Sequence, residues 1–321
     1  MTDDLIKVRV AAKELLAPDV ASFTLVREDG GTLPPYAPGA HIDLHTPSGL
    51  VRQYSLYELD SASEGYRIGV LREAQSRGGS LSLFNDAQVG QTLHIGEPRN
   101  HFPLHADAAH SLLFAGGIGI TPIVCMVRQL SAEGRDFALH YSGRSRQQMA
   151  FVEPLRQAAF ADKVRIYADD EGGLEQLDLP AAIGAPSPDR HLYVCGPSGY
   201  MNHVLDAARR LGWLESRLHR EYFSPAHDLE GEELPFELQV KGDPRIIQVL
   251  RGVTAVEALS QAGFEIPTSC AQGVCGTCIT TVLEGVPDHR DSYFTDEERA
   301  KNDCFTPCCS RAKSRRLVIE L

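Results

Sequence analysis

The chain has 321 residues, of which 43% are hydrophobic and 23% are charged, a balance typical of a folded globular protein with two or three domains. Its net charge of −12 argues against nucleic acid as the main partner and leaves room for a protein partner with a basic docking surface. No apolar run reaches the roughly 18 residues of a membrane span, and MTDDLIKVRV at the N-terminus lacks the basic and apolar segments of a signal peptide.

Residues 1–105 are predicted to be rich in β-strands. IKVRVAAKEL and VASFTLVRED alternate polar and apolar residues, and Gly/Pro turns such as DGGTLPPYAPGAH punctuate the region. Short strands with regular turn signals are typical of a sandwich or a barrel. No convincing helical period appears before about residue 100, so we expect an antiparallel β-domain over residues 1–105.

Two motifs in this region could bind a ligand that has a phosphate and a flat ring, although each alone is more often an ordinary surface strand or a turn. In RQYSL, Arg52 offers a fork of donors for a phosphate, while Tyr54 and Ser55 can contact and hydrogen-bond a flat ring. In SRGGS (76–80), Gly78, Gly79 and Ser80 offer backbone N–H groups and a hydroxyl to an anion, and a helix starting at Ser80 would add its dipole. The candidate flavin-binding residues between the two motifs are Gly69, Val70 and Leu71.

Residues 106–223 alternate strands with helices, which predicts an α/β domain with a mostly parallel sheet. The segment HSLLFAGGIGITPIVCMVRQLSAEG is expected to form a strand, a glycine turn and a helix that ends at Gly134. MAFVEPLRQAAF (149–160) is expected to form a helix, and KVRIYADDEG a strand. HLYVCGPSGYMNHVLDAARRLGW is expected to form a strand, a tight turn and a helix.

The glycine turn AGGIGITP is a candidate nucleotide-binding element. Gly116, Gly117 and Gly119 allow the backbone to approach a pyrophosphate or a flavin edge closely, and Thr121 begins the following helix. The spacing differs from the G-x-G-x-x-G fingerprint of dinucleotide-binding folds, so that fingerprint is absent. A second strand-to-turn element, YVCGP, contains Cys195, Gly196 and Pro197.

If this region binds a nicotinamide coenzyme, its residues alone do not decide between NADH and NADPH. A 2′-phosphate needs cationic partners, and SGRSR supplies Arg144 and Arg146. Acidic residues follow a later strand at Asp169, Asp170 and Glu171, and they favour NADH.

The last third of the chain carries most of the cysteines. Residues 224–235, SPAHDLEGEELP, have the polar, Pro-bounded composition of a linker. After it, PFELQVKG and RIIQVLRG predict a strand hairpin, TAVEALSQAG predicts a capped helix and RRLVIEL predicts a final strand. Six of the eight cysteines lie in the last 52 residues, which indicates a metal site in a reducing compartment such as the cytoplasm.

The cysteine spacing indicates a [2Fe–2S] cluster. Cys270, Cys275 and Cys278 form C-x4-C-x2-C, and a distant cysteine completes the plant-type ferredoxin pattern. Gly273 and Gly276 give the loop the dihedral freedom to turn N–H groups toward sulfur. A zinc knuckle is the alternative, although zinc ribbons usually have two C-x2-C pairs. Spacing leaves the fourth ligand open, because the downstream cysteines Cys304, Cys308 and Cys309 give gaps of 25, 29 and 30 residues.

The motifs together resemble the phthalate dioxygenase reductase family over essentially the whole chain. RQYSL resembles the R-x-Y-S motif of ferredoxin-NADP reductase-like flavoproteins, and AGGIGITP resembles their G-G-x-G-x-T-P segment. SRGGS, HREYF, SCAQGVCGTC, GVPDHRD and CCSRAKS resemble the corresponding segments of the phthalate dioxygenase reductase family. The resemblance implies an FMN-binding β-barrel (1–105), an NAD-binding α/β domain (106–223), a linker (224–235) and a β-grasp ferredoxin domain (236–321).

The resemblance also assigns roles to single residues. It implies FMN rather than FAD, which the residues alone leave open, and it implies NADH. It places the fourth cluster ligand at Cys308 and leaves Cys309, on the other face of an extended chain, and Cys304 as bystanders. By the same resemblance Cys195 lies beside the nicotinamide, and Phe223, in the E-x-F element of Glu221 and Phe223, lies near the flavin, with Ser55 as a further catalytic candidate.

The resemblance implies an oxidoreductase that serves a Rieske-type oxygenase acting on an aromatic substrate. A monomer is expected, because the three domains can pack on each other and the sequence has no coiled-coil seam. NADH delivers two electrons as a hydride, a cluster accepts one at a time, and a flavin between them converts one process into the other. Alternative acceptors are a haem oxygenase or a quinone. A redox-sensing module is a further alternative, but it conflicts with the intact flavin and nicotinamide motifs.

Overall fold

The computed structural model describes residues 5–59, 65–73, 78–172, 177–223, 234–268, 270–271, 273–291 and 293–321. The chain divides into two compact units, Met1–Glu221 and Tyr222–Leu321. The predicted linker lies outside the described residues except for Leu234 and Pro235, and so do Ser76 and Arg77 of the SRGGS motif.

The first unit begins with an antiparallel sheet. Its strands follow the order β4-β3-β6-β1-β2-β5, and β7 pairs with β3. A bridge between Leu56 and Ile68 joins the segment after β4 to β5, so the two ends of the sheet approach each other as in a barrel. The strands are β1 Ile6–Ala17, β2 Val20–Arg27, β3 Ala40–His45, β4 Val51–Ser55, β5 Tyr66–Leu71, β6 Thr92–Ile95 and β7 Arg99–Asn100.

Alternation along these strands produces the core of the barrel. Phe23 and Leu25 on β2 are fully buried, as are Ile42 and Leu44 on β3, because side chains two residues apart face the same side of a strand. One helix, α1 (Gly79–Asp86), lies in this region, where the sequence showed no helical period. It is short, and Leu83 and Phe84 pack into the barrel core, so tertiary packing rather than periodicity supports it.

A parallel sheet follows in the same unit, in the order β10-β9-β8-β11-β12. Helices connect successive strands, as expected for βαβ units. The strands are β8 His110–Gly116, β9 Asp136–Gly143, β10 Val164–Ala168, β11 Arg190–Cys195 and β12 Leu218–Glu221. The helices are α2 Ile120–Ala132, α3 Val152–Gln157, α4 Leu179–Ile183 and α5 Ser198–Arg210.

The helix predicted over residues 149–160 is wrong in its extent, because α3 spans Val152–Gln157 alone. Phe151 has a left-handed φ of 62°, and Ala158 is extended, so the helix cannot continue at either end. The Phe151 ring packs edge-on against Tyr57, with 4.9 Å between centroids. Burial of this aromatic side chain overrides the local helical pattern.

The second unit contains a mixed sheet in the order β14-β13-β19-β15-β17. The predicted hairpin is confirmed, since β13 and β14 pair antiparallel, and the C-terminal strand β19 lies parallel to β13. The strands are β13 Phe236–Val240, β14 Ile247–Val249, β15 Thr280–Glu284, β16 Pro287–Asp288, β17 Cys304–Phe305, β18 Arg311–Ala312 and β19 Arg316–Glu320, and the helices are α6 Ala255–Gln261 and α7 Asp296–Lys301.

The predicted multidomain fold class is confirmed: an antiparallel sheet, a parallel sheet and a C-terminal sheet with the cysteine loop follow one another along the chain. No helix in the described ranges is long and apolar enough to cross a membrane.

We expect Thr254→Ala to lower the free energy of unfolding of the second unit by about 1 kcal/mol. The Thr254 hydroxyl accepts from the Glu257 N–H while the Glu257 carboxylate accepts from the Thr254 N–H, so α6 begins with a complete capping box. Urea-induced unfolding followed by circular dichroism measures the change. Thr254→Ser keeps the hydroxyl and should unfold like the wild type; equal loss in both variants would contradict the capping role.

Candidate functional site

An arginine and the start of a helix form a cationic recess beside the barrel. A β-carbon on Gly79 would lie 2.7 Å from Arg52 Nε, so the Arg52 side chain passes directly over the first turn of α1. Gly78, with a φ of 93°, turns the chain into that helix, and Ser80 follows in its first turn. The guanidinium and the N-terminal N–H groups of an eight-residue helix both favour an anion at this place.

Tyr54 and Ser55 lie next to this recess on β4. The Tyr54 hydroxyl is buried and has no hydrogen-bond partner among the described residues. Burial raises its pKa, so the hydroxyl keeps its proton and remains a donor. Because buried polar groups are usually paired, this hydroxyl is available to hydrogen-bond a ligand. Ser55 is also buried and donates to Glu221 Oε2 over 3.4 Å.

The barrel meets the glycine turn at Gly69. A β-carbon there would lie 2.7 Å from Thr121 Cγ2, so no side chain fits between β5 and the turn. Thr121 is fixed in turn, because its hydroxyl donates to the Ile118 carbonyl over 3.0 Å. Val70 and Leu71 follow on β5, where Val70 is buried in the barrel core and Leu71 is half-buried. The structure therefore brings together Gly69 of β5 and Thr121 in the first turn of α2.

The two candidate nucleotide-binding turns, after β8 and after β11, pack backbone against backbone. A β-carbon on Gly119 would lie 2.4 Å from the Cys195 carbonyl oxygen, and one on Gly116 would lie 3.0 Å from Pro197 Cδ. Gly196 has a φ of 159°, and a β-carbon on it would lie 2.9 Å from the Gly116 Cα. Beside Gly117, by contrast, a β-carbon would meet open space. The glycines thus draw the carboxyl ends of β8 and β11 together, at the edge where open α/β sheets bind ligands.

A buried carboxyl group lies where these elements converge. Glu221 pairs with Cys195 in the register of β11 and β12, and His41 Nδ1 lies 3.8 Å from Glu221 Oε1. Burial raises the pKa of Glu221 to about 8, so its neutral form is favoured at neutral pH. Burial, then the nearby Glu221, raise the pKa of Cys195, which makes this thiol a positioning group rather than a thiolate nucleophile.

Arg144 lies away from this convergence, beyond the end of β9. Its carbonyl accepts from the Asp170 N–H, and Arg146 forms a two-pronged ion pair with Glu171, with Nε–Oε1 at 2.9 Å. These residues follow the carboxyl ends of β9 and β10, on the other side of β8 from Cys195. Cys195 and Arg144 therefore lie on opposite sides of β8 along the same edge of the sheet.

Four buried thiols come together in the second unit. Cys270, Cys275, Cys278 and Cys308 are each at most 6% exposed. The Cys275 thiol contacts Cys270, and the Cys308 thiol contacts both Cys270 and Cys278; these thiol contacts raise the pKa of Cys275 and of Cys308. Four converging sulfur donors are a set that an iron–sulfur cluster or zinc prefers.

The loop around the thiols is shaped by close packing. A β-carbon on Gly276 would lie 2.4 Å from the Tyr293 ring, and one on Gly273 would lie 2.3 Å from Cys309 Sγ. Asp291 is fully buried and accepts from the N–H groups of Tyr293 and Phe294, which holds the neighbouring segment in place.

The predicted orientation of Cys309 is wrong. The chain from Thr306 to Cys309 forms a turn, with the Cys309 N–H donating to the Thr306 carbonyl over 3.2 Å, so alternation along a strand does not apply. Cys309 contacts Cys308 instead of facing away from it. Cys304 lies on β17, is partly exposed and pairs with Thr281 across the sheet. The His289 side chain is buried, and its Nδ1 lies 3.5 Å from Asp291 Oδ1. This contact is consistent with a structural role for His289.

The sequence prediction of the site was incomplete in one respect. The HREYF motif contains Glu221 but does not by itself place it in the site, although Glu221 accepts from Ser55 and pairs in register with Cys195. The sequence feature that points to Glu221 is its position at the end of a strand, two residues before Phe223. Phe223 itself belongs to the second unit, so its proximity to a flavin stays a prediction.

Comparisons with known proteins agree with this arrangement. Residues 238–313 match the 2Fe-2S iron-sulfur cluster binding domain family. The chain is 50% identical to a vanillate O-demethylase oxidoreductase of Pseudomonas sp. (strain HR199 / DSM 7063), over 99% of this chain and 100% of the relative. It is 34% identical to the phthalate dioxygenase reductase of Burkholderia cepacia, over 99% and 98%. A solved phthalate dioxygenase reductase, described as modular for electron transfer from pyridine nucleotides to [2Fe-2S], has a TM-score of 0.81 at 34% identity, over 99% and 98%.

We expect Cys308→Ser to lose most of the cluster, while Cys309→Ser keeps it. Cys308 contacts two other thiols of the quartet, whereas Cys309 contacts Cys308 alone among them. Iron and acid-labile sulfide per chain, with visible absorbance, measure the outcome. Full iron content in Cys308→Ser, or equal loss in both variants, would contradict the assignment of Cys308 as the fourth ligand.

We expect the stability of the wild type to fall as pH rises from about 6.5 to 8, above the range in which the neutral histidines His140 and His219 oppose the effect of Glu221. The Glu221 pKa is about 8 in the folded protein against 4.5 when unperturbed, so the unfolded chain binds fewer protons across this window. Each pKa unit corresponds to about 1.4 kcal/mol, so the fall over this window amounts to about 2 kcal/mol.

The melting temperature as a function of pH measures this effect in the wild type and in Glu221→Gln. The amide is neutral, so Glu221→Gln should remove most of the decline. Glu153→Gln, at an exposed carboxyl, is the control and should retain it. A wild-type decline that persists in Glu221→Gln would show that another group titrates.

Proposed function

Since the chain belongs to the phthalate dioxygenase reductase family of oxidoreductases, we propose that it transfers electrons from NADH through FMN and a [2Fe–2S] cluster to a Rieske-type oxygenase. The observation that carries the proposal is the convergence of Ser55, Cys195 and Glu221, from two sheets, in a chain that also gathers four thiols. The site residues and the domain boundaries 1–105, 106–223 and 236–321 are part of this proposal.

The residues beside the barrel fit a flavin mononucleotide. Arg52 and the α1 N-terminus would hold its single phosphate, and the orphaned Tyr54 hydroxyl would hydrogen-bond the bound cofactor. Gly69 and Thr121, with Val70 and Leu71, would border it on the side of the glycine turn. When bound, FMN accepts a hydride and gives up electrons singly, the chemistry that links NADH to a cluster.

The coenzyme would lie across the carboxyl ends of β8 and β11. The turn at Gly116–Gly119 would receive the pyrophosphate, and Cys195, Gly196 and Pro197 would place the nicotinamide toward the barrel. Since β9 and β10 lie on the other side of β8, the adenosine would reach Arg144 and Glu171. Ser55 and neutral Glu221 would hold a proton beside the reacting rings, while Phe223 is proposed to cover the flavin.

The quartet of Cys270, Cys275, Cys278 and Cys308 would bind the cluster. Its ligands are thiolates, so the thiols lose their protons when iron binds. The vanillate-related and phthalate-related names of the relatives favour an aromatic substrate for the oxygenase partner. We further propose a monomer, and a reducing cytoplasm in which the eight cysteines stay free of disulfides.

Anaerobic addition of NADH to the purified holoprotein tests this proposal. We expect the flavin and cluster absorbances both to bleach, and a purified Rieske-type oxygenase to be reduced faster than a quinone or a haem monooxygenase. A protein that rebinds no flavin would contradict the role of Arg52 and Tyr54. Faster reduction of the quinone or the haem acceptor would replace the proposed partner.

We expect Glu171→Gln to raise kcat/KM for NADPH relative to NADH by about tenfold, or roughly 1.4 kcal/mol. Glu171 neutralises Arg146 through a two-pronged ion pair, so the amide would release a cation to a 2′-phosphate. Steady-state reduction of ferricyanide measures both coenzymes. The double variant Arg146→Ala/Glu171→Gln should lose the gain, and Glu153→Gln is the exposed control. An unchanged ratio in Glu171→Gln would place the ribose elsewhere.

A further inference from the structure

Three histidines from separate segments of the first unit meet in one cluster. His105 follows the barrel, His191 lies on β11 and His219 lies on β12. Each offers a ring nitrogen, and these nitrogens lie within 4.8 Å of one another. His191 Nδ1 and His219 Nε2 are 2.8 Å apart, and the His105 and His219 rings stack with centroids at 4.2 Å. We call this group the histidine cluster.

The histidine cluster is separate from the proposed coenzyme site. His191 and Cys195 are four residues apart on one strand, roughly 13 Å at about 3.3 Å per residue. His191, Tyr193 and Cys195 alternate onto the same face, and the Tyr193 ring stacks on His219 between the two places. The proposed electron path uses none of the three histidines.

The structure assigns to the histidine cluster a binding site for a divalent transition metal of the zinc class. Three neutral imidazoles are a common donor set for zinc, which takes nitrogen ligands at about 2.0–2.1 Å. Coordination would require the His105 ring to rotate out of its stack on His219 and the His191 and His219 nitrogens to turn toward a common point. The three ring nitrogens already lie within 4.8 Å of one another, and a fourth position would remain for water.

The protonation state of the cluster suits a metal. Burial lowers the pKa of His219 to about 3, and burial with Arg217 lowers the pKa of His191. Both rings are therefore neutral at physiological pH, so a metal would not have to displace a proton from an imidazolium. It would replace the single proton shared between His191 Nδ1 and His219 Nε2.

Asp107 stands where a supporting carboxylate is expected. Its Oδ1 lies 3.7 Å from His191 Nε2 and 3.9 Å from His105 Nδ1. Metal-bound histidines usually donate their other ring N–H to such a group. Once a metal occupies Nδ1 of His191, the proton moves to Nε2, and Asp107 is the acceptor within reach.

Two arginines near the histidine cluster oppose metal binding. Arg217 Nη1 donates to His191 Nε2 in the metal-free protein and also bonds Asp107 Oδ2 at 3.0 Å. Arg135 donates to the carbonyls of His105 and Ala108 and adds a second positive charge nearby. A metal requires Arg217 to leave His191, so the loss of Arg217 should strengthen binding.

Zinc titration of the holoprotein by calorimetry, with flavin and cluster absorbance recorded throughout, tests this proposal. We expect about one Zn²⁺ per chain with unchanged absorbance, and a higher melting temperature because the metal joins three segments. His105→Gln and His219→Gln should each weaken binding at least about tenfold, or 1.4 kcal/mol. Arg217→Gln should strengthen it, and His203→Gln, an exposed histidine on α5, should match the wild type.

Several outcomes would overturn the assignment. These are no zinc binding at all, binding accompanied by loss of cluster absorbance, and binding that both His105→Gln and His219→Gln leave unchanged. Equal or weaker binding in Arg217→Gln would also contradict it, because the competition with Arg217 follows directly from the geometry. His105 is partly exposed, so His105→Gln tests the site with little risk to folding.

Discussion

The site of the first unit depends on one close approach of two backbones. Gly119 and Gly116 leave room for the turn after β11 to lie against the turn after β8, and a single β-carbon at Gly119 would collide with the Cys195 carbonyl. This contact fixes Cys195 at the sheet edge. Thr121, just beyond the same turn, meets Gly69 of the barrel in a second close approach, so the segment after β8 contacts both the turn after β11 and strand β5.

Burial then determines the chemistry of that junction. Glu221 pairs in register with Cys195 and accepts from Ser55, and its desolvation favours the neutral acid. The neighbouring thiol is kept protonated for the same reason. The junction can therefore hold a proton without placing an anion beside an electron-rich ring. In the second unit the proposed role of the four thiols has the opposite requirement, because ligands to a cluster must be thiolates.

Local sequence predicted the parts of the molecule that depend on short segments. The C-x4-C-x2-C loop, the glycine turn, the capping box at Thr254 and the hairpin after residue 235 all involve residues within a few positions of one another. The extent of the helix near Phe151 and the orientation of Cys309 were predicted wrongly. In both cases a side chain packs against a distant partner, Tyr57 for Phe151 and Gly273 for Cys309.

The sequence by itself determined the chemical inventory: a cysteine set with ferredoxin spacing, an arginine and glycine turns predicted to bind phosphate, and the order of an antiparallel, a parallel and a cysteine-bearing region. The tertiary structure decided which residues meet. Glu221 reaches Ser55 across 166 positions, and His105 meets His191 and His219 only because neighbouring strands align them. Residue spacing encodes contacts along a turn or a strand, whereas contacts between sheets depend on register and packing, which no short segment specifies.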